Sequence, residues 1–298
     1  MMINLKLNQI SRYFISFVVF LSSPVFAQSR IDFDSETPIA NQVIEQGEIA
    51  VTINYTPINL GEGDFSEDTN IEYTLSYQGE KRVSDRAFTL YTGSAFLQDL
   101  DNNCTAEFIL KTYSGGAHCC TDIIIHHWQE DQFVQTAIEG LDGGGGKFTD
   151  LNQDGRIEFI TANNAFLYQF SSYAGSFPPT MIYQFKDRNL IDVTRNYPQE
   201  LEATAWQMYQ IFLESKQRNS ELNGILAGYV AQKILLGEYE EGWNFMLANY
   251  DRASDWGLDS YPDLFSHSFK SVFNRSRLSQ TLMIDWRSIR SLRRGIFR

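Results

Sequence analysis

Apolar and polar positions change their period once along this chain. Up to about residue 197 the apolar residues fall in short runs broken by Gly, Asn and Asp: Ile49–Ile58, Ile71–Tyr77, Ala87–Tyr91, Glu107–Tyr113, Asp122–Trp128, Gln132–Ala137, Ile157–Ala162, Thr180–Phe185 and Leu190–Val193. Several alternate apolar with polar, the pattern of half-buried strands. From Pro198 the spacing becomes helical. Leu222, Ile225, Leu226, Tyr229, Val230 and Ile234 step by three and four, and Gly237 stands where a helix C-terminus would place glycine. Further helices are expected at about 199–217, 238–250, 262–273 and 279–294. The predicted fold class is α+β: an N-terminal antiparallel β-meander, partial propeller or sandwich-like, over 28–197, then a small C-terminal helical domain over 198–298.

The first 27 residues read as an export signal. Lys6 and Arg12 precede the apolar run Tyr13–Leu21, and Val25 and Ala27 flank Phe26 in a cleavage-type pattern. No later run reaches membrane-spanning length, so an exported, periplasmic or secreted chain without a transmembrane segment is expected. Three cysteines, Cys104, Cys119 and Cys120, then suggest one disulfide with one thiol left over. Cys104 with Cys119 or Cys120 is the expected pair, because a ring closed between neighbours is tight.

Charge reinforces the division. The chain carries 24 basic and 37 acidic residues, net −13. Residues 28–200 hold 26 acids against 10 bases, whereas 201–298 hold 11 against 12. So acidic a surface argues against nucleic acid as a partner, since phosphate binding needs a basic face.

The chemistry concentrates in two segments 51 residues apart, D-L-D-N-N-C-T-A-E-F-I from Asp99 and D-L-N-Q-D-G-R-I-E-F-I from Asp150. Each offers side-chain oxygens at positions one, three, five and nine: Asp99, Asp101, Asn103 and Glu107, then Asp150, Asn152, Asp154 and Glu158. The carbonyls of Thr105 and Arg156 at position seven would add a backbone ligand. Ca²⁺ takes six to eight such oxygens, and alternate residues of a tight loop can aim them at one point. Gly155 permits the sharp turn. An EF-hand does not fit, because position twelve holds Leu110 and Thr161 and no helices flank the loops. The competing reading is acidic turns held by Asx hydrogen bonds. Asp64, Ser66, Asp68 and Glu72 form a weaker echo, read as a polar hairpin loop.

The two loops resemble those of FG-GAP or VCBS-type repeats, the blades of integrin-like propellers, whose D-x-[DN]-x-[DN]-G-x-x-[DE] loop binds Ca²⁺. The second loop matches in full; the first has Cys104 in place of the glycine. A second string, Y-S-G-G-A-H-C-C from Tyr113, resembles a signature of exported bacterial proteins without an assigned activity. His126 and His127 follow it. Zn²⁺ takes Cys and His ligands, but the spacing is not that of a finger, and a disulfide with a structural His118 is the preferred reading. The Gly143–Gly146 run before Lys147 lacks P-loop spacing and reads as a turn.

No G-x-S-x-G, H-E-x-x-H or S-x-x-K is present. The expected function is therefore an exported, Ca²⁺-binding β-repeat module that binds a protein or glycan partner or acts as a scaffold at the cell envelope. The alternative is an extracytoplasmic hydrolase or lyase, which would need a cavity gathering Glu139, Asp142 or His126.

Overall fold

A computed structural model describes residues 29–58, 69–186 and 189–250. The expected signal segment, the helices expected at 262–273 and 279–294, and Asp64, Ser66 and Asp68 lie outside the described residues. Within them three antiparallel sheets are followed by three helices, as the α+β reading predicted.

The first sheet is a meander of β2 (Ile39–Gln46), β3 (Ile49–Tyr55), β4 (Ile71–Tyr77) and β5 (Glu80–Ala87). The second runs β1-β6-β7-β8-β9, from β1 (Arg30–Phe33), β6 (Gly93–Gln98), β7 (Glu107–Tyr113), β8 (Cys119–Gln129) and β9 (Gln132–Asp142). The third is β10 (Lys147–Thr149), β11 (Glu158–Ala162), β12 (Thr180–Lys186) and β13 (Asn189–Asp192). No sheet closes on itself, and within each of them sequential strands pair throughout except where β1 joins the second sheet beside β6.

Alternate residues of the second sheet enter different cores. Ala95, Leu97, Phe108 and Leu110 pack with Val51, Ile53, Tyr73 and Leu75 of the first sheet. Phe96, Ile109, Ile123 and Ile125 pack with Phe159 and Phe185 of the third. The middle sheet is thus covered on both faces, which is why Phe108, Ile109 and Leu110 of β7 are apolar in succession rather than alternating. The edge strand β5 shows the reverse: its sequence, EKRVSDRA, is largely exposed and carries no apolar signal. The expected strand at Ala87–Tyr91 is corrected accordingly, since the chain leaves β5 at Ala87 and turns before β6.

α1 (Pro198–Gln217), α2 (Asn223–Leu235) and α3 (Tyr239–Asn249) follow. Gly237 lies just beyond the α2 C-terminus at φ +83°, the left-handed cap its position suggested. α2 is not merely amphipathic: nearly all its residues are buried, since α1 and α3 cover it on two sides and the 164–177 segment on another. Phe166, Phe170 and Met181 share one core with Leu201, Phe212, Leu226 and Val230, so the packing runs across residue 198. Gly228 marks the closest approach, because a Cβ there would stand 1.9 Å from the Phe177 carbonyl oxygen. Gly→Ala inside a helix ordinarily stabilises by about 1 kcal/mol. Here Gly228→Ala is expected to lower the melting temperature by several degrees, overpacking costing roughly 1–3 kcal/mol.

Candidate metal centre

The two acidic loops occupy matching places, one joining β6 to β7 and the other β10 to β11. Their wiring also matches. Asp99 accepts the N–H groups of Asn103 (3.1 Å) and Cys104 (2.8 Å), and Asp150 those of Asp154 (3.2 Å) and Gly155 (2.9 Å). Asn103 Oδ1 accepts from Thr105 N–H, and Asp154 Oδ1 from Arg156 N–H. Glu107 accepts the Leu100 N–H at 2.7 Å, and Glu158 the Leu151 N–H at 3.0 Å. Positions four and six are left-handed in both: Asn102 (φ 61°) and Cys104 (φ 68°), Gln153 (φ 60°) and Gly155 (φ 86°). Glycine is therefore not essential at position six, and Cys104 takes the same turn with a side chain.

The loops also pack on each other. Ile157 N–H donates to the Leu100 carbonyl at 2.9 Å, and Asn102 Nδ2 to the Asp154 carbonyl at 3.3 Å. A Cβ on Gly155 would meet Asn102 Nδ2 at 2.8 Å, so a side chain there would displace the Asn102 amide that joins the two loops.

Electrostatically the two loops differ. Carboxylate oxygens of Asp99, Asp101 and Glu107 all lie within 4.8 Å of one another. Glu107 is 1% exposed, and burial, with the charges of Asp101 and Asp99 adding to it, pushes its carboxyl up to about 8. Burial and the Asp99 charge raise Asp101 as well, and Asp101 Oδ1 is buried without a hydrogen-bond partner. Asn103 Oδ1 and the Thr105 carbonyl are further oxygens of the same loop. The second loop has as many carboxylates, but Asn152 stands at position three and Asp154 at position five, the reverse of the first. Buried Glu158 receives Leu151 N–H, Gln184 Nε2 at 3.5 Å and the Tyr197 hydroxyl. Burial and this bond raise Tyr197, keeping the phenol protonated. Asp154 is lowered, chiefly by the Arg156 N–H. A cleft of about 680 Å³ opens beside this loop, lined by Asn152, Asp154, Gln184, Tyr197 and Glu200. Tyr197 and Gln184 have no signal in the loop motif, because they reach Glu158 only through sheet pairing and the entry to α1.

The expected pairing of Cys104 is overturned. Cys119 and Cys120 bond to each other, and Cys104 is exposed and free. The register explains why. β7 pairs antiparallel with β8, Phe108 opposite His126 and Tyr113 opposite Thr121. Cys104 therefore precedes one end of β7 while Cys119 faces the other, about 20 Å away along the strand, far beyond the ~7 Å Cα limit of a disulfide. Titration under native conditions is expected to find one thiol, Cys104, rising to three after reduction; a Cys104→Ser variant should show none before reduction.

His118 stacks on Tyr173 with ring centroids 3.7 Å apart. His126 and His127 are buried on opposite faces of β8, the first against Tyr73, the second against Phe185. Glu139, Asp142 and His126 do not come together, since Glu139 is exposed on β9 while His126 lies between the first two sheets. Among the described residues no helix is long and apolar enough to cross a membrane.

Fold and loops together define a layered antiparallel β protein with paired acidic loops and a helical C-terminal region. The sll0997 C-terminal domain family matches residues 201–268. The chain is 31% identical over 267 residues to the "Probable thylakoid lumen protein sll0997" of Synechocystis sp., covering 81% of this chain and 78% of that protein. It belongs to that protein's family. It is also 36% identical over 165 residues to the "Uncharacterized protein y4bJ" of Sinorhizobium fredii, covering 51% of this chain and 24% of that longer protein. No solved structure matches.

Proposed function

We propose that this chain is an exported protein in which the Asp99–Glu107 loop, with the Asp150–Glu158 loop packed against it, binds Ca²⁺ and so stiffens a β-rich module that binds a protein or glycan partner or serves as a scaffold at the cell envelope. The observation that carries this is the convergence of Asp99, Asp101 and a buried Glu107 with no cationic partner among the described residues. Ionising all three carboxyls together is unfavourable without a counter-charge, and a divalent ion removes that penalty. Hydrogen bonds from the loop N–H groups leave lone pairs on these oxygens for an ion. FG-GAP or VCBS-type loops, which the segments resemble, use the same positions. Export is supported by the N-terminal pattern and by the printed name of the lumenal relative.

Calorimetric titration with Ca²⁺ tests the proposal directly. The wild-type chain is expected to bind at least one ion per molecule, and Asp99→Ala with Asp101→Ala to lose the site built on Glu107. Asp150→Ala with Asp154→Ala reports separately on the second loop. Wild-type titration without saturable heat would end the calcium reading.

A further inference from the structure

Two strings that the calcium reading leaves unused, Y-S-G-G-A-H-C-C and the Gly143–Gly146 run, meet at one cavity. It measures about 640 Å³ and is walled by Arg30, Asp32, Lys111, Tyr113, His118 and Tyr173. Its frame is built from the glycine turn. Lys111 Nζ donates to the carbonyls of Gly144 (2.8 Å) and Gly146 (3.0 Å). Gly143 N–H donates to the His118 carbonyl at 2.7 Å, and the Thr121 hydroxyl to the Gly143 carbonyl at 2.5 Å. Gly146 is at φ +113°, and a Cβ on it would stand 2.3 Å from the Ile160 carbonyl oxygen, so only glycine lets the turn seat here. Opposite, the His118 ring lies flat on Tyr173, whose hydroxyl is held by Asp142 at 2.7 Å.

The charge of this wall is unusual for the molecule. Lys111 is partly buried, and among the described residues no carboxylate pairs with it; its two carbonyl acceptors leave a third ammonium hydrogen. Arg30 is held by Asp32 at 2.6 Å and lies over the Phe96 ring at 5.1 Å. Arg30 and Lys111 share this wall with Asp32, and Asp142 stands behind Tyr173, so Lys111 is the charge that carries the site: its ammonium faces carbonyls and, among the described residues, no carboxylate. A partly desolvated ammonium without a counter-charge attracts an anion more strongly than a surface lysine does.

We propose that this cavity binds a small acidic molecule of sugar-acid size, its oxyanion received by Lys111 and Arg30 and its body lying against the His118–Tyr173 face. A bare oxyanion would leave most of the volume unfilled, whereas cavities of 300–1,000 Å³ suit a compact organic ligand. The site is independent of the calcium loops, which lie at the other end of β7.

The test is calorimetric titration of the purified, calcium-free chain at low ionic strength with D-glucuronate, inorganic phosphate and D-glucose. Glucuronate is expected to bind saturably, glucose not at all, and Arg30→Gln and Lys111→Met each to weaken glucuronate by about tenfold or more. Phosphate binding as tightly as glucuronate would support the anion site and assign the affinity to the oxyanion; tighter glucuronate would support it and add the stacked face. The proposal is overturned if neither anion binds, if glucose binds as well as glucuronate, or if Arg30→Gln keeps wild-type affinity. Should Lys111→Met fail to melt cooperatively, Arg30→Gln, at an exposed position of β1, carries the decision.

Discussion

Calcium at about 100 times its dissociation constant is expected to stabilise the folded chain by about 2.7 kcal/mol, provided the unfolded chain does not bind it. For a protein of this size that corresponds to a rise in melting temperature of roughly 5–10 °C, reversed by chelator. Glu107 decides whether the gain arises at the first loop. It is buried, accepts Leu100 N–H, and faces Asp99 and Asp101. Glu107→Gln keeps the shape and an acceptor for Leu100 but removes the charge. Without metal the variant should melt no lower than wild type near neutral pH, because burial already holds the Glu107 carboxyl largely protonated there and the amide is a neutral replacement of the same shape. With calcium the increment should largely vanish. Loss of stability without metal and a full calcium increment together would place the ion elsewhere.

The second large effect is a loss of stability in acid, centred on His126. The ring is buried between the first two sheets, its Nε2 3.1 Å from the Tyr73 hydroxyl and its face toward Phe108. Burial lowers it from the ordinary 6.5 to about 4; the Asp85 charge opposes this and His127 reinforces it. A folded value below the unfolded one means that the unfolded chain binds the extra proton between the two, so stability falls as pH drops from about 6.5 to about 4. The span corresponds to about 3 kcal/mol. In the Glu107→Gln background, which removes an opposing titration, urea denaturation across that range should show the decline, and adding His126→Phe should flatten it, because Tyr73 keeps Asp85 as a partner at 3.3 Å. An equally steep decline in that variant would move its origin to other groups. Glu107 acts with the opposite sign. Its folded value is raised from 4.5 to about 8, so its contribution is present at low pH and lost as pH climbs through 8. Glu107→Gln should accordingly remove a decline between about pH 4.5 and 8 that His126→Phe leaves in place.

Much of the fold and part of the candidate site were legible in the chain itself. Strands such as Ile71–Tyr77 and Glu107–Tyr113 and the three described helices follow from local periodicity, which needs only neighbours in sequence. The repeat of the acidic loops was visible as residue spacing, and their hydrogen-bond wiring repeats with it, since each loop closes on its own backbone. β1, β2, β5 and β6 left no periodic trace: β5 is an exposed edge, and β6 is short and covered on both faces.

Other features depend on residues far apart. The apparent kinship of Cys104 with Cys119 and Cys120 rested on closeness in sequence, but antiparallel pairing carries them to opposite ends of β7. The stronger motif match, at Asp150, is not where three carboxylates converge: there Asp154 is engaged by Asn152 and the Arg156 N–H, while Tyr197 and Gln184 reach Glu158 from other elements. The glycine run became the anchor of Lys111 only once β7 and the turn after β9 were set side by side. Local backbone preference and hydrophobic period wrote the strands, helices and loop turns into the chain; which charges meet, which cysteines bond and which cation lacks a counter-charge were decided by sheet register and layer packing, which bring together residues that no local pattern connects.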